Sequence, residues 1–408
     1  GLLGSKAVAA VGVGGMYVWL SQGLASLARM GGQVHVAQCL GRGDKEQAHR
    51  YAKTAVQLSI LLGLAFAAVS LLFTDPLVAF FKLEGAKTIL DAKIYMRITC
   101  GLILFSFLNL TLTGLYTAQG DSKTPFVANF IGLLINLLLD PLLILGVGPF
   151  PRIEVAGAAV ATVSAQLVVM LVMMVGVFRS KKEENVLKGI RLFEPFSKEE
   201  LGNICKIGGP TAIQGMVYCM ISMVLTRMVA AFGAEAIATQ RVGGQIESVS
   251  WNTADGFAAA LNAFVGQNYG AKKMDRVQKG YRISFWTVAI WGALIMLAFI
   301  IFPGPIAGVF FHEEKAMEIA ISYLIIIGFS EAFMCVELMT IGALSGLGKT
   351  KLCSVISITA TSMRIPLATV LSRTSLGLDG IWWALTLTSV AKGIIFYLTF
   401  HYQMREKS

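Results

Sequence analysis

Gly233-Ala234-Glu235-Ala236-Ile237-Ala238 decides the fold, because the same pattern, Gly4-Ser5-Lys6-Ala7-Val8-Ala9, stands 229 residues earlier. The spacing holds without a gap through Gln38 and Gln267, Gly41 and Gly270, and Pro76 and Pro305. It then shortens slowly. Gly114 and Gly120 match Gly342 and Gly348 at 228, Pro141 matches Pro366 at 225, and Gly157 and Ala161 match Gly380 and Ala384 at 223. A drift this slow over so long a stretch marks one structural unit used twice.

Composition places both copies in a bilayer. The 408 residues are 55% hydrophobic and 14% charged, with a mean hydropathy of +0.69, whereas soluble domains carry about 25% charged residues. Disordered and disulfide-rich secreted classes are excluded by the same figures. Apolar stretches of about 18 residues or more, enough to cross roughly 30 Å of hydrocarbon, run at 7–30, 52–73, 98–118, 124–146, 156–178, 208–231, 236–266, 284–302, 319–346, 352–372 and 381–400. The stretch 236–266 carries Gln240, Arg241, Gln245, Glu247 and Asp255, so it must face protein or water rather than lipid.

The first five spans pair with the last five, which leaves 208–231 without a partner. Each repeat is therefore expected to hold six spans, the first helix of the first repeat lying ahead of residue 1. An even number of spans gives both repeats the same orientation. The expected fold class is an all-α polytopic membrane protein of two parallel six-helix repeats, with eleven of twelve helices present. Its first lobe covers 1–179, a Lys- and Glu-rich cytoplasmic linker 180–200, and its second lobe 201–408. One set of alternate loops holds 21 Lys and Arg residues and the other set 8. The richer set is cytoplasmic by the positive-inside rule, which puts Ser408 inside and Gly1 outside; a restored first helix would bring both termini inside. No signal peptide is read at Gly1. The expected location is the inner (plasma) membrane, and the expected state is a monomer.

The net charge of +10 follows from those loops and implies no nucleic-acid partner, since no basic stripe is interleaved with aromatics. Six cysteines without a CxxC pair, and four histidines (His35, His49, His312, His401) without metal spacing, imply packing rather than a metal or cofactor. Gly346-Leu347-Gly348-Lys349-Thr350 imitates a phosphate-binding loop, but the earlier glycine is replaced by Ala343 and both flanks are membrane spans. No nucleophile–base pair is visible, so an intramembrane enzyme is not expected.

A charge at the bilayer centre costs about 2.5–3.5 kcal/mol on insertion scales, so each embedded acid needs a reason. Asn129, Asn136 and Asp140 lie at i, i+7 and i+11, about 20° apart around a helix. A carboxylate one turn from an amide oxygen can coordinate Na⁺ or exchange a proton. A second stripe joins Gln240, Gly244, Glu247, Trp251 and Asp255. It can line a cavity for a cationic substrate, with Trp251 adding cation–π attraction, or Arg241 can neutralise Glu247. Glu331 and Glu337 stand six residues apart, about 120° around a helix. Each is a substrate or proton site, or the partner of Arg227, Arg364 or Lys392. The paired Pro141 and Pro366 permit kinks, and the glycines Gly12, Gly14, Gly15, Gly243 and Gly244 favour close helix approach.

The chain resembles the multidrug and toxic compound extrusion (MATE) family. The resemblance rests on Gln38-Cys39-Leu40-Gly41, Val265-Gly266-Gln267-Asn268-Tyr269-Gly270-Ala271, Ala118-Gln119-Gly120-Asp121-Ser122-Lys123-Thr124-Pro125, Asn136-Leu137-Leu138-Leu139-Asp140-Pro141 and Val155-Ala156-Gly157-Ala158-Ala159-Val160-Ala161-Thr162. Within the family the chain looks closer to the bacterial NorM/DinF-like members than to eukaryotic ones, and the resemblance covers nearly the whole chain. It implies twelve helices in two lobes around a central cavity, exporting small organic, often cationic, compounds in exchange for Na⁺ or H⁺ by alternating access. It also implies ion-coupling roles for Asn136, Asp140 and Thr162, beside an Asp on the first helix, which is absent here. Some members carry an acid in the span that here holds Gln214, a departure from a sodium site in the second lobe. Flippases of lipid-linked precursors or polysaccharides share the superfamily, but they usually carry more basic residues in a central cavity, whereas here the embedded acids match or outnumber the bases.

Overall fold

The computed structural model describes residues 5–83, 85–146, 152–180, 185–195, 197–311 and 313–405. Gly4, His312 and part of the linker expected at 180–200 lie outside them. Every described secondary-structure element is a helix. They are α1 (Ser5–Arg42), α2 (Lys45–Leu72), α3 (Thr74–Ala79), α4 (Ala86–Gly101), α5 (Leu104–Ala118), α6 (Lys123–Leu145), α7 (Glu154–Arg179) and α8 (Lys198–Ala230), followed by α9 (Ala234–Gly270), α10 (Met274–Ile301), α11 (Pro303–Gly308), α12 (Glu314–Gly328), α13 (Glu331–Gly346), α14 (Thr350–Ser362), α15 (Arg364–Ser372) and α16 (Leu378–Arg405). Two units divide at Gly215 and Met216, within α8.

All eleven apolar stretches fall on helices, but hydropathy and length alone mark fewer as spans. Seven helices are long and apolar enough to cross a membrane, and the bent pairs α4–α5 and α12–α13 raise the number to nine among the described residues. The two stretches left over, α1 and α9, are each other's repeat partners. The α9 stretch is diluted by Gln240, Arg241, Gln245, Glu247 and Asp255, and the repeat ties it to α1.

The repeat extends to the backbone. The α4–α5 pair bends by 42° and the α12–α13 pair by 50°, each just beyond a matching glycine, Gly101 and Gly328. The sharp bends thus lie away from the paired prolines. Pro141 sits inside a continuous α6, whereas Pro366 follows the short break between α14 and α15, where its missing N–H costs a helical bond. The turns before α2 and α10 use positive φ at matching positions, Gly43 (+83°) and Lys272 (+58°). Gly120 (+86°) and Gly348 (+80°) do the same before α6 and α14.

In the first unit, the core joins Ala28, Val36, Tyr51, Leu115, Tyr116 and Met173 from α1, α2, α5 and α7. Gly157 lets α7 meet α6 closely, since a Cβ there would lie 2.6 Å from the Leu143 carbonyl oxygen. The described linker residues are fastened to α2 and α5. The Gln57 side chain donates to the carbonyls of Leu192 (2.8 Å) and Glu194 (2.7 Å), the Val186 amide donates to Gln119 Oε1 at 2.9 Å, and Lys53 Nζ pairs with Glu194 Oε2 at 2.8 Å. The Lys53 ammonium holds the Glu194 carboxyl below the usual carboxylate range, by hydrogen bond and charge. A depressed carboxylate contributes its clasp above the ordinary range and loses it as pH falls through the lowered value. Lys53→Gln is expected to raise amide hydrogen exchange across 186–194 at neutral pH, as acidification does in the native protein. Unchanged protection in the variant would show that the ion pair holds nothing.

In the second unit, one core gathers Leu225, Val229, Phe299, Tyr323, Leu324, Ile381 and Trp382. A second joins Leu261, Val265, Tyr281, Met339, Leu344, Phe396 and Phe400 from α9, α10, α13 and α16. Gly393 brings α16 against α13, where a Cβ would fall 2.6 Å from the Phe333 carbonyl oxygen.

Candidate functional site

In the first unit, Asn136 and Asp140 project half-buried from α6, and Thr162 projects half-buried from α7. Thr162 Oγ1 donates to the Ala158 carbonyl one turn back at 2.9 Å. The phenol of Tyr95, on α4, is a neighbour of both Thr162 and Asp140. The Tyr95 ring, itself buried, lies against Gly14 of α1, where a Cβ would come 2.9 Å from Cε1 and closer still to Cδ1. Any side chain at position 14 would push the phenol away. Asp140 has no ion-pair partner among the described residues. Asn129, the third member of the sequence stripe, turns its amide onto the Pro125 carbonyl of its own helix at 2.8 Å, so the site keeps only Asn136 and Asp140 from that row.

The second unit repeats this arrangement with different acids. Tyr323 of α12 corresponds to Tyr95 and lies against Gly243 of α9, the counterpart of Gly14. Its phenol donates to Glu247 Oε1, also on α9. Glu247 therefore pairs with a tyrosine, while Arg241 is exposed on the same helix. Close to both stands Glu331, the first residue of α13 after the break. Glu331 is fully buried beside the Ser250 hydroxyl, and neither of its carboxyl oxygens has a well-aligned hydrogen bond or an ion pair among the described residues. Ser250, beside it, shares its hydrogen with Cys335 Sγ at 3.4 Å. The near cation is Arg364, buried at the start of α15, which feels Glu247. Its Nε and Nη2 donate to Thr388 Oγ1 (3.0 Å) and Ser389 Oγ (2.9 Å), and its guanidinium lies 5.9 Å from the Tyr218 ring centroid.

Glu337 belongs to a different neighbourhood. Its Oε1 pairs with Lys392 Nζ of α16 at 2.8 Å, with both side chains 6% exposed. Glu331 and Glu337 thus face different helices, as their spacing requires, and Glu337 takes one of the basic partners open to it. Gln240, Trp251 and Asp255 share the Glu247 side of α9. Trp251 and Asp255 stand exposed, and no hydrogen bond or ion pair ties them to the Glu247–Glu331 pair among the described residues.

Tyr95 and Tyr323 escaped the sequence reading. Their signal is the repeat itself: a tyrosine pair 228 residues apart and a glycine pair 229 apart, which only the fold shows to be in contact. Each repeat sets a tyrosine on a glycine next to an embedded acid. A phenol hydrogen bond and a carboxyl group in a low-dielectric setting can exchange a proton or hold a small cation. No group of three or more His, Cys, Asp or Glu residues suited to a metal is found among the described residues.

A model of the MatE family matches residues 1–142 and 210–370. The probable multidrug resistance protein NorM of Thermotoga maritima is 28% identical over 414 residues, covering 98% of this chain and 86% of that protein. An FAD transporter of Shewanella oneidensis is 26% identical over 403 residues, 97% of this chain and 86% of its own. Among solved structures, a MOP superfamily transporter from Pyrococcus furiosus matches with a TM-score of 0.91 at 23% identity, over 99% of this chain and 89% of that one. That last likeness is one of fold.

Proposed function

The chain belongs to the MatE family of membrane transporters, and from that premise we propose that it is a secondary active antiporter exporting organic, often cationic, compounds in exchange for H⁺ or Na⁺. Family membership makes it a multi-pass transporter of small organic substrates rather than an enzyme. Coupling, cargo and site are our reading, and so are a cytoplasmic C-terminus and a monomeric state.

The observation that carries the coupling is Glu331. A fully buried carboxylate with no ion-pair partner among the described residues costs several kcal/mol, by order of magnitude, if it stands ionised. The group therefore holds a proton or a cation in this state, and it has a second acid, Glu247, next to it. Its place at the end of a broken helix supports the same reading, since transporters gather ions where helices are interrupted. Asp140, with Asn136, Thr162 and Tyr95, is the corresponding coupling group in the first repeat. Gln240, Trp251 and Asp255 on the open side of α9 are candidates for contact with a cationic substrate, the ring by cation–π attraction. Glu337, neutralised by Lys392, serves structure first. An antiporter needs ion and substrate to favour opposite conformations, so protonating or loading these acids must oppose substrate binding.

Export from proteoliposomes, with pH and Na⁺ gradients imposed separately, tests the proposal. One of the two gradients should drive export of a cationic dye, and export driven by neither removes antiport. Asp140→Asn is expected to cut gradient-driven export at least about tenfold, within the about 5–150-fold range of coupling between sites. Unchanged export at normal protein levels would remove Asp140 from the coupling site.

A further inference from the structure

A groove of about 650 Å³ opens between the start of α10 and the end of α16. Its floor is aromatic: Tyr281 stacks on Phe400 with ring centroids 3.6 Å apart, and the Tyr281 hydroxyl shares a hydrogen bond with Thr340 Oγ1 of α13 at 2.9 Å. Its mouth is basic, with Lys279, Arg282 and Arg405 against one acid, Asp275. Lys279 and Arg282 are exposed and take part in no ion pair among the described residues.

The groove continues a graded face of α10. Lys279, Arg282, Trp286, Ile290, Leu294 and Leu297 follow one another at steps of three and four residues, so they share one side of the helix. From Trp286 onward each is at least half exposed, and α10 is long and apolar enough to span a membrane. Charge gives way to an indole and then to bare aliphatic surface, the order of headgroup, interface and hydrocarbon across half a bilayer. On the facing helix, Tyr397 and Arg405 repeat the order two turns apart.

We propose that this groove binds an anionic phospholipid of the cytoplasmic leaflet. Its phosphate sits among Lys279, Arg282 and Arg405, and an acyl chain runs over the exposed aliphatic side chains of α10. Basic pockets between helices on the cytoplasmic side suit such headgroups, and the apolar track beyond the bases gives a lipid a second anchor that a free anion lacks. The loops at this end belong to the Lys- and Arg-rich set, which selects the leaflet. The site is separate from the embedded acids and does not depend on their role.

Native mass spectrometry of the protein released from nanodiscs of equal phosphatidylglycerol and phosphatidylcholine tests the assignment. Retained phosphatidylglycerol should outnumber phosphatidylcholine on the native chain. Lys279→Gln/Arg282→Gln is expected to reduce that preference about tenfold, the scale of two basic contacts to an anionic headgroup. Lys272→Gln/Lys273→Gln, the same charge change just ahead of α10 and outside the groove, should preserve it. Persistence of the preference in the first variant, or an equal loss in the second, would overturn the proposal. So would displacement of the lipid by inorganic phosphate, which would make the groove a site for free anions.

Discussion

Glu331→Gln is expected to leave the protein folded and to abolish its coupling to the ion gradient. The amide matches the carboxyl in shape and carries no charge, so it substitutes for the occupied, neutral form of the site. Stability should stay within about 1 kcal/mol of the native protein, the usual scale of a single hydrogen-bonding change. Coupled export should fall at least about tenfold, as expected when a group that links ion and substrate binding is removed. Substrate-driven exchange without a gradient should survive better than gradient-driven export, because the variant resembles a permanently loaded site. Full gradient-driven export by Glu331→Gln would show that the buried carboxyl serves packing alone. Tyr323 sharpens the comparison, since its hydrogen bond to Glu247 remains in this variant and only the second acid is lost.

Lys392→Met is expected to have the largest effect on stability. Lys392 and Glu337 are both nearly inaccessible and meet at 2.8 Å, joining α16 to α13. Removing the ammonium strands a buried carboxylate, a change that typically costs about 3–5 kcal/mol. Thermal unfolding in detergent should shift well below that of the native protein. The companion variant Lys392→Met/Glu337→Leu replaces both charges with apolar groups and should recover most of the loss, because a buried ion pair can often be exchanged for hydrophobic contact at little cost. If the single variant unfolds like the native protein, Glu337 is not held as a charge. If the double variant is as unstable as the single one, the cost lies in packing and not in the stranded carboxylate.

These two acids show where sequence reading reaches and where it stops. Helical periodicity put Glu331 and Glu337 on different faces, and that separation is observed. It did not say which helix each face meets, because Lys392 lies 55 residues beyond Glu337 and any of several bases was within reach of the same reasoning. Asp140 was legible for a simpler reason: an acid, an amide and a proline share one apolar stretch, and the polar stripe needs no knowledge of neighbours. Tyr95 and Tyr323 were not, since tyrosine sits comfortably in a span and draws no attention. Their contacts with Gly14 and Gly243 come from helix packing.

The repeat made the fold readable, and it ties α1 to α9, whose polar residues weaken its own apolar signal. The breaks after Gly101 and Gly328 were hidden because a hydropathy window averages across a bend. The short helices α3 and α11 were hidden because six residues give too little periodicity to register. Both features recur at the repeat spacing, so a comparison of the halves residue by residue holds more information than a scan of either half.

We propose that a coupling cation and an organic substrate compete through Asp140 and Glu331. It is tested most directly by dye binding to the purified protein, followed by anisotropy while proton and sodium concentrations are raised one at a time. The apparent Kd should rise with one of the two cations in the native protein, and Asp140→Asn/Glu331→Gln should bind dye with a Kd that no longer responds. A native Kd indifferent to both cations, or a double variant that titrates as the native protein does, would contradict it.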